Sequence, residues 1–253
     1  AELPAIASEA FGDFEGDFSF DTSVIAGFLA RTSLLQQPNL RFSDLPITVF
    51  RQREFYIEML IWTQSTTAVH QHGFAGAFKV LQGSSIHTVF EFRPQNEISD
   101  KCILGEVDPQ YTEYLKKGSV RKILPGSGGL IHSLYHLENP SVSLVVRDLI
   151  HKKHQPQYSY FRPCFALDQL QLEKDEQVAM YARLLGVARQ LNRKDMLQVW
   201  LDSIAQLDFS RLAYLFLANL VYFQNEAERQ EFLEKARNPH GELVDSLRNA
   251  AHY

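Results

Sequence analysis

The sequence predicts a β-barrel or β-sandwich followed by an all-helical C-terminal region. Between about residues 44 and 166, short apolar runs rich in β-branched and aromatic residues are separated by Gly, Pro and Asn breaks. Beyond about residue 170 the apolar period lengthens to that of a helix. A third observation points to chemistry. His70 and His72 stand one residue apart, and residues i and i+2 of a strand share a face, so one strand can offer two imidazoles to one metal ion.

Three segments follow in order: an N-terminal arm and helix over 1–43, the strand-rich region over 44–167 and a helical region over 168–253. Residues 1–20 are rich in Gly, Asp and Phe and read as an irregular arm. Asp21 or Thr22 can cap a helix over 22–36, whose stripe is Val24, Phe28, Leu29 and Leu34/Leu35. Strands are expected at 54–62, 77–82, 84–93, 119–124, 130–137, 141–150 and 157–167. The stretch 94–118 mixes Gln95-Asn-Glu, Asp108-Pro109 and Lys116-Lys-Gly118, and reads as an excursion between strands. In the last region Val178, Tyr181, Leu184, Leu185, Ala188 and Leu191 recur at helical spacing. Met196–Leu207, Leu212–Phe223 and Phe232–Ala236 do the same. Breaks at Asn192-Arg193, Asp208 and Asn238-Pro239 divide it into four or five short helices.

The composition, 45% hydrophobic with 18 Phe and 10 Tyr, is that of a globular chain with a large core. A formal net charge of −5 gives no reason to expect nucleic acid or an anionic membrane as partner. No apolar run approaches the ~18 residues of a membrane span. Cys102 and Cys164 lack metal-type spacing, and no basic segment followed by an apolar run opens the chain. A reducing, cytoplasmic location is therefore expected. There is no G-x-G-x-x-G opening a helix after a strand, no P-loop, no H-E-x-x-H and no G-x-S-x-G.

The third ligand has two candidates. His132 ends Pro125-Gly-Ser-Gly-Gly-Leu-Ile-His132, and His136 lies four residues on, which a strand would place on the same face. His87, alternating with Val89 and Glu91, reads as an ordinary strand histidine rather than a ligand. His151 and His154 flank a Lys-Lys pair and read as solvated, while Tyr158 and Tyr160 read as core. Glu58 shares the parity of Tyr56, Leu60 and Trp62. If that face lines the barrel, it is a buried carboxylate needing a partner, Arg147 or the metal. Arg147 reads either as a surface or ion-paired arginine or as a substrate anchor.

The central segment resembles the cupin superfamily. His70-x-His72 and Gly83 stand at the distances of its first histidine motif, with Gly76 at the usual Glu position. Pro125 to Gly129 with His132 approximates its second motif. A cupin that drops the Glu and keeps three histidines looks like the thiol dioxygenase branch, the cysteine dioxygenase-like proteins. Phe55-x-x-x-Met59-Leu60-x-Trp62, Phe78-Lys-Val-Leu-Gln-Gly83 and Val142-Ser-Leu144 echo the same branch, and the resemblance covers about residues 50–150.

The resemblance implies a cupin-type (RmlC-like jelly-roll) β-barrel, mainly β plus α, with a C-terminal helical appendage. It implies Fe(II) held by His70, His72 and His132, and oxygenation by O₂ of a small anionic substrate, a thiol-bearing acid, to its sulfinate. Nickel, zinc or copper would also occupy such a site in purified protein. Ser143 and Arg147 are the expected catalytic residues, and Arg147, Trp62 and Arg51 (or Arg53) the expected substrate-binding ones. The chain departs from the family in two places. Gly76 stands where the family's crosslinking cysteine lies, as in several bacterial members. Of the Ser, His and Tyr that alternate inward after the third ligand, only Ser143 survives, the others being Val145 and Arg147. Two rival readings accompany this one: a non-catalytic metal-binding cupin serving as ligand sensor or assembly protein, and a three-histidine dioxygenase cleaving a C–C bond. Cupins often dimerise through barrel edges, which leaves a homodimer open.

Overall fold

The computed structural model describes residues 2–16, 18, 21–31, 43–64, 66–126, 128–149, 156–162, 165–220, 223 and 225–250. Two helices, α1 (Leu3–Asp13) and α2 (Thr22–Arg31), precede the strands. These are β1 (Leu45–Arg51), β2 (Phe55–Trp62), β3 (Val69–Gln71), β4 (Gly76–Gln82), β5 (Ser85–Ser99), β6 (Cys102–Leu115), β7 (Val120–Ile123), β8 (Ile131–His136), β9 (Ser141–Asp148), β10 (Tyr158–Phe161) and β11 (Phe165–Asp168). Five strands form one sheet in the order β1-β2-β9-β4-β7, and six close a barrel in the order β10-β11-β6-β5-β8-β3. All the described pairings are antiparallel. This is the mainly β architecture, a barrel followed by helices, that the sequence predicts.

The chain divides into two compact units. The first contains Ala1–Glu91 and Pro109–Pro156. Its five-stranded sheet is buried on both faces. Leu60, Phe74, Phe78, Val80, Ile123 and Val145 form an inner core. On the outer face, Ala7 and Phe11 of α1 pack on Ala77 and Val146, and Ile25, Phe28 and Leu29 of α2 pack on Ile47, Met59 and Ile61. Burial on both sides explains why β2 and β4 read as nearly continuous apolar runs rather than alternating ones. Lys79, alternating outward on β4, donates from Nζ to the carbonyls of Phe11 and Phe14, and so satisfies the C-terminal end of α1.

The second unit contains Phe92–Asp108 and Gln157–Tyr253. Six helices follow β11: α3 (Gln169–Lys174), α4 (Glu176–Gln190), α5 (Lys194–Ile204), α6 (Phe209–Ala218), α7 (Glu226–His240) and α8 (Leu243–Ala250). The side chains of Asp175 and Asp208 accept backbone N–H groups at the starts of α4 and α6. Trp200, Phe216 and Phe232 are fully buried in their common core, with Cys102, Phe165 and Leu167.

Several expectations need correction. Residues 3–13 form a helix, not an irregular arm, because Pro4, Ala7 and Phe11 fall on one helical face and bury it. The stretch 94–118 is mostly the outer part of the β5–β6 hairpin. It lacks an apolar alternation because its cross-strand contacts are polar: Arg93 with Glu106 and Asp108, Gln95 with Glu106, Gln110 with Glu91. The run 157–167 holds two strands, β10 and β11. Helix α7 continues through Pro239 and stops at Gly241, which takes φ 57°. There are six helices after β11 among the described residues rather than four or five. Residues 32–36 of the expected second helix, and His151, His154 and Cys164, lie outside the described residues.

Gly76 opens β4 opposite Arg147, and a Cβ there would run into the backbone carbonyl oxygen of Val146. A glycine at position 76 is therefore required by the way β4 lies on β9. Gly76→Ala is expected to lower stability by about 1–3 kcal/mol through forced backbone displacement. A urea denaturation midpoint equal to wild type would contradict this.

Candidate metal centre

Two strands and a turn bring three histidines together. In the β3–β8 ladder His70 lies directly opposite His132, and His72 follows β3 at the i+2 position. His70, His72 and His132 each present a ring nitrogen, and the three atoms lie within 4.8 Å of one another. His72 Nε2 and His132 Nε2 are 2.9 Å apart. His70 Nδ1 lies 2.8 Å from the Ala68 carbonyl, so it carries the proton and leaves the Nε2 lone pair for another partner. All three residues are buried. Burial pulls the His70 pKa down to about 4 and those of His72 and His132 well below the usual value. Three neutral imidazoles converging on one point form a donor set that fits a divalent transition metal.

His136, the rival third ligand, shares the inward face of β8 but is not in this cluster. Its Nδ1 meets Ser85 Oγ at 2.9 Å, and its ring stacks on Trp62 at 5.2 Å. His87 is also inward and fully buried. Its Nε2 lies 2.9 Å from His132 Nδ1, and its Nδ1 lies 2.8 Å from Glu113 Oε1. The sequence reading of His87 as an ordinary strand histidine missed this contact. The signal was there in outline, because on β5 it shares the parity of Val89, the residue that pairs with His132.

The facing sheet supplies the remaining groups. In the β2–β9 register Tyr56 is opposite Arg147, Glu58 opposite Val145 and Leu60 opposite Ser143, which sends all six to one face. The parity argument for Glu58 is correct, and its partner is Arg147: Arg147 Nε lies 2.9 Å from Glu58 Oε2, with both side chains buried. Burial raises the Glu58 pKa, and the Arg147 charge opposes that rise. The Arg147 guanidinium also lies 4.5 Å from the centre of the Phe74 ring. Trp62 Nε1 donates to Ser143 Oγ at 3.2 Å.

A cavity of about 30 Å³ lies among these groups, with His70, His72, His132, Trp62, Ser143 and Arg147 in its lining. Its other walls include Leu60, Phe74, Phe78 and Val145. Arg51 is exposed at the end of β1, and Arg53 is exposed in the turn after it. Neither lines the cavity.

No family model and no curated protein matches the chain. Among solved structures it is similar to hydroquinone 1,2-dioxygenase from Sphingomonas sp. TTNP3 with 4-hydroxybenzoate bound, at 14% identity and a TM-score of 0.33 over 42% of this chain and 66% of that one. It is similar to a cupin-superfamily sugar phosphate isomerase from Silicibacter pomeroyi, at 12% identity and 0.33 over 46% and 64%. A third likeness is to a structure of DMSP lyases, at 14% identity and 0.26 over 38% and 40%. This chain thus spans between 40% and 66% of these proteins' lengths, and at such scores the likenesses carry nothing about ligand or reaction. No helix among the described residues is long and apolar enough to cross a membrane.

The buried histidines set an acid limit. In the unfolded chain each takes up a proton near pH 6.5, whereas His70 and His136 in the folded protein stay neutral down to about 4. Their folded pKa values are depressed, so the unfolded state binds more protons between these limits. Stability is full above about pH 6.5 and falls as pH drops towards 4, by up to about 1.4 kcal/mol per pH unit for each ring. Urea titrations of metal-free protein at pH 7, 6 and 5 test this. A flat profile would be incompatible with the buried neutral cluster.

Proposed function

We propose that the protein is a mononuclear non-haem iron dioxygenase that oxidises a small thiol-bearing acid to its sulfinate. The observation that carries this reading is the convergence of three buried, neutral histidines on the wall of a cavity that also holds Ser143 and Arg147. Iron(II) held by His70, His72 and His132 supplies the redox access to O₂ that side chains alone lack. The overall reaction balances without a further reductant: one thiol and one O₂ give one sulfinic acid, both oxygen atoms ending on sulfur.

The chain's own residues would do the rest. Three neutral ligands leave the charge of a divalent cation uncompensated, and the Glu58–Arg147 pair adds none. The site therefore favours an anionic ligand. Arg147, oriented by Glu58 and backed by Phe74, would bind the substrate carboxylate. Ser143 accepts from Trp62, so its own hydroxyl proton is free to be donated towards the substrate. Trp62, Phe74 and Phe78 would exclude water. Arg147, which lines the cavity, suits the anchoring role better than the exposed Arg51.

The buried Arg147 on the cavity wall favours an anionic substrate over a neutral diketone. The small size of the cavity, room for one or two waters, supports a second reading, a non-catalytic cupin whose metal is structural. The deciding experiment is anaerobic iron(II) loading followed by O₂ uptake with cysteine, 3-mercaptopropionate and a diketone. Thiol-stimulated uptake with one sulfinate formed per O₂ is expected. No uptake with any of the three on fully iron-loaded protein would leave the non-catalytic reading.

Removing Arg147 alone would leave Glu58 buried without its ion pair, a change that typically costs about 3–5 kcal/mol. The informative variant is therefore the double neutral one, Arg147→Gln with Glu58→Gln. It is expected to fold and retain iron while raising KM for the thiol acid by at least about tenfold, the value of one charge-assisted contact. An unchanged KM would remove Arg147 from substrate binding.

A further inference from the structure

We propose that His87, held by Glu113 and Arg121, is a positioning residue for His132, and that it makes His132 a stronger electron donor to the metal than His70. This rests on the three-histidine metal reading above and adds a ligand-tuning chain to it.

The argument is one of donors and acceptors. Arg121 grips both carboxylate oxygens of Glu113, Nε to Oε1 at 2.7 Å and Nη2 to Oε2. Paired in this way, Glu113 has its pKa drawn down to about 2 and is an ionised acceptor. Its contact with His87 at 2.8 Å therefore requires that His87 Nδ1 carry a proton and donate it. The neutral ring then has a lone pair on Nε2, which can only accept. The facing atom, His132 Nδ1 at 2.9 Å, must accordingly be the donor. That leaves His132 Nε2 unprotonated, and this is the nitrogen directed at His72 within the metal cluster. The chain of contacts thus selects the one tautomer of His132 that can bind a metal.

His70 and His132 are not equivalent in this respect. His70 donates its Nδ1 proton to the neutral carbonyl of Ala68. His132 donates to an imidazole whose far side rests on a carboxylate, so negative charge is relayed towards its ring. The geometry is held on all sides. The two rings meet edge to face with centroids 5.0 Å apart, and Phe78 packs within 6.2 Å of His87 and 6.0 Å of His132. His87 is not among the residues lining the cavity, so its role is to act through His132 and not on substrate.

The test measures metal affinity and does not use turnover. Cobalt(II) binding to metal-free protein is followed by competition with a chromophoric chelator, and the visible cobalt spectrum is recorded. His87→Leu, which removes the acceptor, is expected to bind about 10–100-fold more weakly with a shifted ligand-field band. His87→Gln, whose side-chain oxygen can still accept from His132, should recover most of that loss. Glu113→Gln keeps an acceptor for His87 but removes the charge, so it should shift the band and weaken binding less than His87→Leu. This variant alters a half-buried group, so it decides the matter if His87→Leu does not fold. Wild-type affinity and an unshifted band in folded Glu113→Gln and in His87→Leu would overturn the proposal. His72→Ala serves as the control. If it loses cobalt while the His87 and Glu113 variants are unaffected, only the tuning chain is wrong. If it too binds like wild type, the metal reading itself has failed.

Discussion

The site depends on the cost of holding charge away from water. Between the two sheets lie five buried histidines and a Glu–Arg pair in a largely apolar setting, and each is either neutral or matched. Burial keeps the imidazoles unprotonated, the state in which they can bind a metal. Burial also forces Glu58 onto Arg147. Glu113, the acidic group that reaches the cluster through His87, sits at a half-exposed position with Arg121 beside it, where ionisation costs little.

Much of this could be read from the residues. The HxH spacing needs only the two-residue period of a strand, and the segment ending at His132 lies where the β3–β8 pairing brings it opposite His70. Parity along β2 and β9 was enough to send Glu58, Ser143 and Arg147 to one face, because that ladder runs without a bulge. The helical region was visible from its period, with Asp208 at one of its breaks.

What escaped sequence reading depended on partners distant in the chain. His87 looked ordinary because its two partners, Glu113 and His132, are 26 and 45 residues away. His132 and His136 share the inward face of β8, and what separates their surroundings comes from the opposite sheet, where Trp62 stacks on the His136 ring. The outer part of the β5–β6 hairpin carries no apolar alternation to announce it, since its strands are joined through exposed ion pairs. Helix α1 was hidden because the Gly-, Asp- and Glu-rich run at its end, residues 12–17, dominates the composition of the N-terminal segment.

The uninterrupted register of β2 on β9 has a consequence for how such a chain can diverge. Eight successive pairs, from Phe55–Asp148 to Trp62–Ser141, set which residues face inward. Deleting or inserting a single residue within either strand would turn Ser143 and Arg147, or Glu58 and Trp62, to the outer face. Side chains along this ladder can be exchanged one at a time, but its length cannot drift. Lineages of this fold should therefore accumulate gaps in the turns and almost none between residues 55 and 62 or 141 and 148.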